Sequence, residues 1–377
     1  MFPGSIVKPG FNPLATPPIV YTYNLYSWGQ NGSGQLGIGN TFSYSSPKQV
    51  GSLTNWLSLA ANGYASFGIK TDGTIWSWGN NTNGNLGLGN RTNYSSPKQI
   101  GALTGWLQVS AGFYAGNAMA IKTDGTLWGW GRNDYGQLGL GNITNYSSPK
   151  QVGSLSNWAV ISCQGNTTLA IKTDGTLWSW GYGNQGQTGL GNTTLYSSPK
   201  QVGSLTNWLK LSSGGYRGDT SIAIKTDGTL WAWGYNLFGN LGLGNRTDYS
   251  SPKQIGALTN WSTVGSGNFY ASAIKSDGTL WTWGQNSSGQ LGLGNNTNYS
   301  SPKQVGSLTN WSTVNCPYLF SVATKTDGTL WSWGANNVGQ LGLDNRTYYS
   351  SPKQVGSLTT WKTAPVGGLY FAIGLQY

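Results

Sequence analysis

Apolar positions along this chain fall in short runs separated by turn-forming residues, the pattern of short strands rather than of helices. The segment AIKTDGTLWSW, residues 170 to 180, reads as two apolar strands around an Asp-Gly pair, and that pair is expected to supply the positive φ angles of a tight hairpin. In its second strand Trp178 and Trp180 stand two positions apart, so both indoles share one face while Leu177 and Ser179 take the other. Glycine-rich GQLGLGN and proline-containing SSPKQ then divide the chain into further strands and turns. No stretch has helical periodicity.

The same pattern is written many times. KTDGTLWSWG at residues 172–181 recurs unchanged at 325–334, and close copies start at Lys70, Lys122, Lys225 and Lys275. SSPKQ followed by Val or Ile and Gly occurs seven times, with its proline at Pro47, Pro97, Pro149, Pro199, Pro252, Pro302 and Pro352. The unit is therefore about fifty residues, in the range of propeller blades. Seven SSPKQ copies accompany six KTDG hairpins because the ends share the seventh. The chain enters its repeat with LYSWG, the second half of a hairpin, and finishes with YFAIGLQY, which holds the first half. Pairing the two would close a ring and remove both exposed sheet edges. All 20 Trp belong to this plan, which predicts that they pack neighbouring sheets together.

The pattern DGTLWSWG, then GQLGLGN, then SSPKQV and a closing Trp resembles the repeat of the regulator of chromosome condensation family, over residues 25 to 377. This resemblance implies an all-β fold, a seven-bladed β-propeller closed by pairing of N- and C-terminal strands and occupying residues 21–377. The founding member of that family is a guanine-nucleotide exchange factor that also binds chromatin, and other relatives are scaffolds, sensors or secreted inhibitors. Members often carry a His before the inner strand. This chain has none, so no exchange-factor residues carry over.

Composition narrows the chemistry. There are 10 acidic residues, all Asp, and no His. Six of them lie in the repeated Asp-Gly pair, leaving Asp134, Asp219, Asp248 and Asp344. Acid/base and nucleophilic catalysis need His, tuned carboxylates or facing carboxylate pairs, so we expect no enzyme, no cofactor and no metal site. Cys163 and Cys316 have no metal-ligand spacing and read as small apolar fillers rather than a disulfide. GQLGLGN lacks a following GK[ST] and a helix, so it reads as a turn and not a phosphate loop. The formal charge of +11 is spread around the ring without a basic run, which suggests a solubilising rim rather than a nucleic-acid footprint. Neither a signal peptide nor a membrane span is expected.

Function should sit where the copies disagree. Between the SLTNW tryptophan and the AIK strand both letters and lengths vary. In a propeller these segments converge on one face, and they would gather Tyr64, Phe113, Tyr114, Asn166, Tyr216, Arg217, Asp219, Phe269, Tyr270, Tyr318, Phe320 and Tyr370. Tyrosine on glycine-supported loops gives contact area at little entropic cost. That face would bind a protein or a glycan, or its aromatics would plug the channel. Residues 1–20, with five prolines in the first twenty positions or so, form an extended arm in which Phe2, Ile6, Val7, Phe11 and Leu14 could dock on another protein.

Uniform KTDGTLWSWG repeats are similar to those of bacterial, phage and environmental sequences. The sequence reading is thus a non-enzymatic binding or display propeller on a virion, a phage tail, fibre or capsid-surface protein anchored to other virion proteins by its arm. An intracellular regulatory scaffold or exchange-factor-like propeller, cytoplasmic in location, is the alternative.

Overall fold

The structure, a computed structural model, describes residues 23–112, 116–214 and 220–377. The expected N-terminal arm, with Phe2, Ile6, Val7, Phe11 and Leu14, lies outside the described residues. Those residues form seven four-stranded antiparallel sheets arranged as the blades of a propeller.

One blade shows the plan. Its strands are Trp56–Ala61, Ala65–Lys70, Ile75–Gly79 and Tyr94–Gln99, in that order from channel to rim. Innermost strands of successive blades lie side by side around the channel. The second strand is buried along its whole length, because a neighbouring blade covers each face, and so it reads as a continuous apolar run. Proline is confined to the outermost strand, where no ladder partner needs its missing N–H. Around Pro97 the outer strand carries two extra residues: Ser77 pairs with Lys98 while Gly79 pairs with Tyr94.

The ring closes as the two chain ends suggest. Asn24–Gly29 pairs antiparallel with Phe371–Gln376, from Asn24 opposite Gln376 to Gly29 opposite Phe371. Tyr44–Gln49 completes that blade outside and the short Val366–Gly367 completes it inside.

Each junction between blades has its own hydrophobic cluster, and these seven clusters are the core. The second Trp of every WxW pair is fully buried there. Its indole N–H donates to a backbone carbonyl of the preceding blade: Trp78 to Gln35 at 3.0 Å, Trp180 to Gln137 at 2.9 Å, Trp283 to Asn240 at 3.0 Å, and Trp28 to Gln340 at 2.9 Å across the closure. Glycine two residues after each accepting carbonyl is required on two counts. Gly242 has φ +73°, and a Cβ on it would stand 2.8 Å from Trp283 Nε1.

Two expectations need correction. The hairpin is a three-residue Thr-Asp-Gly loop: Lys70 N–H donates to Thr74 C=O at 2.9 Å, Gly73 N–H to Lys70 C=O at 2.9 Å, and only the glycine has positive φ, +75°. Asp72 serves by its carboxylate, which accepts the Thr74 amide at 2.9 Å and hydroxyl at 2.7 Å, while Trp76 Nε1 donates to that hydroxyl oxygen at 2.9 Å. The hairpin lysines, in turn, are not rim charges. Lys70, Lys172, Lys225, Lys275 and Lys325 are buried, each with its ammonium over two Trp rings; Lys225 lies 3.7 Å from the Trp231 centroid and 4.8 Å from that of Trp208. The SSPKQ lysines are exposed on the rim, each over the Tyr of its own strand, as Lys253 is at 5.5 Å from Tyr249.

Candidate binding face

Hydrogen bonds sort the loops into two faces. The turn after each innermost strand bonds to the long loop that follows the WxWG strand, as when Asn80 N–H donates to Tyr64 C=O at 2.9 Å. The Thr-Asp-Gly hairpin and the SLTNW segment share the opposite face, where Thr71 N–H donates to Asn55 C=O at 2.9 Å. That second face is nearly identical in the six blades that carry the hairpin, and in the seventh the two chain ends stand in its place. Variation in sequence is therefore concentrated on the first.

The residue just before each second strand occupies a ring position on the variable face: Tyr64, Gly116, Asn166, Phe269, Leu319 and Tyr370 among the described residues. Its carbonyl accepts the N–H of the residue after WxWG in every one of these blades. Because the backbone is held, the side chain is free to differ. Three consecutive blades bring Tyr318, Tyr370 and Tyr64 together at the channel mouth, with Tyr318 edge-on to Tyr370 at 5.8 Å. Burial raises the Tyr318 phenol above its ordinary pKa, and the phenols of Tyr370 and Tyr64 add to the rise. Tyr64 is 36% exposed, and Asn62 Oδ1 holds its turn by accepting Tyr64 N–H at 3.0 Å and Ala65 N–H at 2.7 Å.

A second aromatic cluster stands further round the ring. Phe269 adopts φ +61°, a strained angle for a bulky side chain, and packs on Tyr235 at 5.7 Å and Phe238 at 5.3 Å. Asn166 is half-buried, and its carbonyl accepts Tyr182 N–H at 2.9 Å; the Tyr182 ring meets Tyr135 edge-on at 5.0 Å.

Tyr270 and Phe320 are not on this surface. They begin the second strands Tyr270–Lys275 and Phe320–Lys325, one residue past the ring position, and are 1% and 0% exposed. Tyr270 donates its hydroxyl to the Phe320 carbonyl, and burial pushes its pKa well above the usual phenol range. Phe113, Tyr114, Tyr216, Arg217 and Asp219 lie outside the described residues. Sequence reasoning missed Tyr135, Tyr182, Tyr235, Phe238 and Leu319. The signal was present: the letters after [WY]xWG read QNGS, NNTN, RNDY, YGNQ, YNLF, QNSS and ANNV, a divergence as strong as that of the turns before the second strands.

Small side chains, including Ala61, Ala111, Ser162 and Gly367, line a cavity of about 160 Å³ in the channel. No described aromatic is among its lining residues. Cys163 and Cys316 also line it as free, buried thiols, and burial pushes their pKa values up to about 12 and about 11. Among the described residues no group of three or more His, Cys, Asp or Glu could hold a metal, and no helix is long and apolar enough to cross a membrane.

The regulator of chromosome condensation (RCC1) repeat matches seven times, at residues 24–68, 72–114, 124–171, 174–217, 227–274, 277–324 and 327–370. The chain belongs to this family. Each RCC1 repeat runs from the outer half of one blade into the inner half of the next, so sequence repeat and structural blade are out of phase. The ultraviolet-B receptor UVR8 of Arabidopsis thaliana is 30% identical over 142 residues, 37% of this chain and 32% of the receptor. Protein RCC2 of Mus musculus is 28% identical over 142 residues, 37% of this chain and 17% of RCC2. The chain thus aligns with a third or less of either relative. Among solved RCC1-type structures, Prp20p of Saccharomyces cerevisiae, described with its binding properties to Gsp1p and histones, superposes with a TM-score of 0.82 at 19% identity, over 95% of this chain and 92% of Prp20p. At that identity the likeness speaks for the fold.

Proposed function

We propose that this protein is a non-enzymatic regulatory scaffold whose variable face binds a protein partner. The observation that carries the reading is the contrast between the faces. One repeats the same residues around the ring, and the other keeps its backbone hydrogen bonds while its side chains diverge into aromatic clusters. Selection for folding alone explains the constant part; rigid loops bearing Tyr and Phe are suited to contact. The relatives support protein binding as the mode, since Prp20p is described by what it binds. They lend no support to a virion-attached display protein, and the regulatory alternative is the better reading.

Capture of a partner from lysate of the source tests it. Tyr64→Ala combined with Tyr370→Ala should reduce capture at least about tenfold, a loss of about 1.4 kcal/mol of binding. Its melting temperature should move only a few degrees, because neither ring belongs to a junction core. Capture unaffected by the double change would overturn the assignment of the face. An exchange-factor role is separable: it requires accelerated nucleotide release from a small GTPase.

A further inference from the structure

The junction between Trp56–Gln99 and Trp106–Gln151, the blades on either side, holds a cleft of about 270 Å³ on the variable face. Its walls include Asn62, Asn80, Asn83, Asn85, Tyr64 and Arg132. At the junction before Trp261, the same three places are filled. Tyr235, Phe238 and Phe269 pack together there, where this cleft has Asn80, Asn83 and Gly116. Gly116 and Phe269 even share the same backbone angle, φ +64° and +61°. The opening is therefore a side-chain substitution in an otherwise repeated frame.

Asn85 matters for a second reason. Five junctions have Gln at this position, and its Oε1 accepts a loop N–H two residues earlier, as Gln137 does from Tyr135 at 2.9 Å. Asn85 is one methylene shorter. Its Nδ2 donates to Asn80 C=O at 2.6 Å, which fixes the amide orientation, and its Oδ1 is left buried without a partner. Asn62 is the mirror case: two backbone N–H groups fix its Oδ1, and its Nδ2 is buried without a partner. Both side chains are at least nine-tenths buried, at 3% and 2% exposure.

We propose that this cleft binds a neutral sugar unit. Asn62, Asn80, Asn83 and Asn85 line the cleft with neutral amides, which both donate and accept as a hydroxyl does. A carboxylate or phosphate has no proton to give an amide carbonyl. The one nearby cation is also neutralised, since Arg132 Nε lies 2.5 Å from Asp134 Oδ2. Four amide side chains offer more hydrogen-bonding groups than a single carboxamide from a protein could satisfy, whereas a pyranose carries several hydroxyls. The half-exposed ring of Tyr64 gives an apolar surface for a sugar's C–H face. The cavity is near the lower end of small-molecule sites, the size for one monosaccharide rather than a long chain. This proposal does not rest on the protein-binding reading: it needs only purified protein and a sugar, so either can fail alone.

The test is saturation-transfer-difference NMR on the full chain with glucose, galactose, mannose and N-acetylglucosamine, each at up to about 10 mM, the range expected for a single-sugar site. N-acetylneuraminic acid and a glutamine-containing peptide serve as competitors of other chemistry. At least one neutral sugar should bind, with the charged sugar and the peptide silent. Asn83→Phe, which supplies the aromatic found at Phe238, should abolish the signal. Asn85→Gln, which restores the internal cap, should weaken binding roughly tenfold while leaving the melting curve intact or raised. Binding by no neutral sugar, binding unaffected by Asn83→Phe, or preferential binding of the charged sugar or the peptide would each overturn the proposal. Should Asn83→Phe misfold, Asn85→Gln carries the decision.

Discussion

A lysine two residues before an aspartate ordinarily reads as a solvated surface pair, and here it is something else. Lys225 is 5% exposed, its ammonium lies between the rings of Trp208 and Trp231, and burial draws its pKa below the ordinary lysine value despite the opposing pull of Asp227. Lys225→Ala should lower stability by about 1–2 kcal/mol in a urea titration, from lost cation–π attraction and lost stem packing. Lys122 is only partly buried and pairs with Asp124 at 3.8 Å, so Lys122→Ala should cost less. The aspartates set an acid limit. Asp72, Asp124, Asp174, Asp227, Asp277 and Asp327 all have pKa values lowered, chiefly by the Thr hydroxyl and amide two residues on. A depressed folded-state pKa contributes stability above the unfolded value of about 3.9, lost as pH falls through the folded values. Urea midpoints should therefore drop steeply below about pH 4, and Asp227→Asn should flatten that drop. The thiols invite a third measurement. With pKa values near 12 and 11, Cys163 and Cys316 should resist iodoacetamide at pH 8 in native protein and react together once it unfolds.

Among elements, the blade is less independent than its sheet suggests. A single four-stranded sheet buries its second strand only when blades flank it on both sides, and the Trp hydrogen bond always reaches the preceding blade. Gly242→Ala probes that dependence directly. It combines a disfavoured positive φ with a 2.8 Å approach to Trp283 Nε1, and should cost about 2–4 kcal/mol by differential scanning calorimetry, a value near zero being incompatible with the junction described. Much of this was legible in the letters. Spacing of the two tryptophans gave their shared face, and the glycine repeat gave the turns. The hairpin type was not legible, because Asp-Gly serves both two-residue and three-residue loops, and only the Lys70–Thr74 bond distinguishes them. Nor was the split between Phe269 and Tyr270. Adjacent residues at the start of a strand differ by one step of register, and that step sends one ring to the surface and the other between blades.

At the scale of the whole molecule the ring depends on its closure. Asn24–Gly29 has no inner partner except Phe371–Gln376, and Trp28 reaches back to Gln340 across the seam. Removing residues 371–377 should expose two sheet edges and the buried Phe371 and Ile373, giving aggregation on size exclusion and loss of the single melting transition. The sequence by itself determined the number of blades, their antiparallel strands, the closure by the two ends and the absence of His and Glu. Each of those follows from a local pattern or from arithmetic on repeats. Tertiary structure alone decided which lysines are buried, which aromatics are exposed, and that one junction is open where another is filled. Those outcomes depend on side chains some fifty residues away on the neighbouring blade, and a repeat read one copy at a time contains no information about what the adjacent copy places against it.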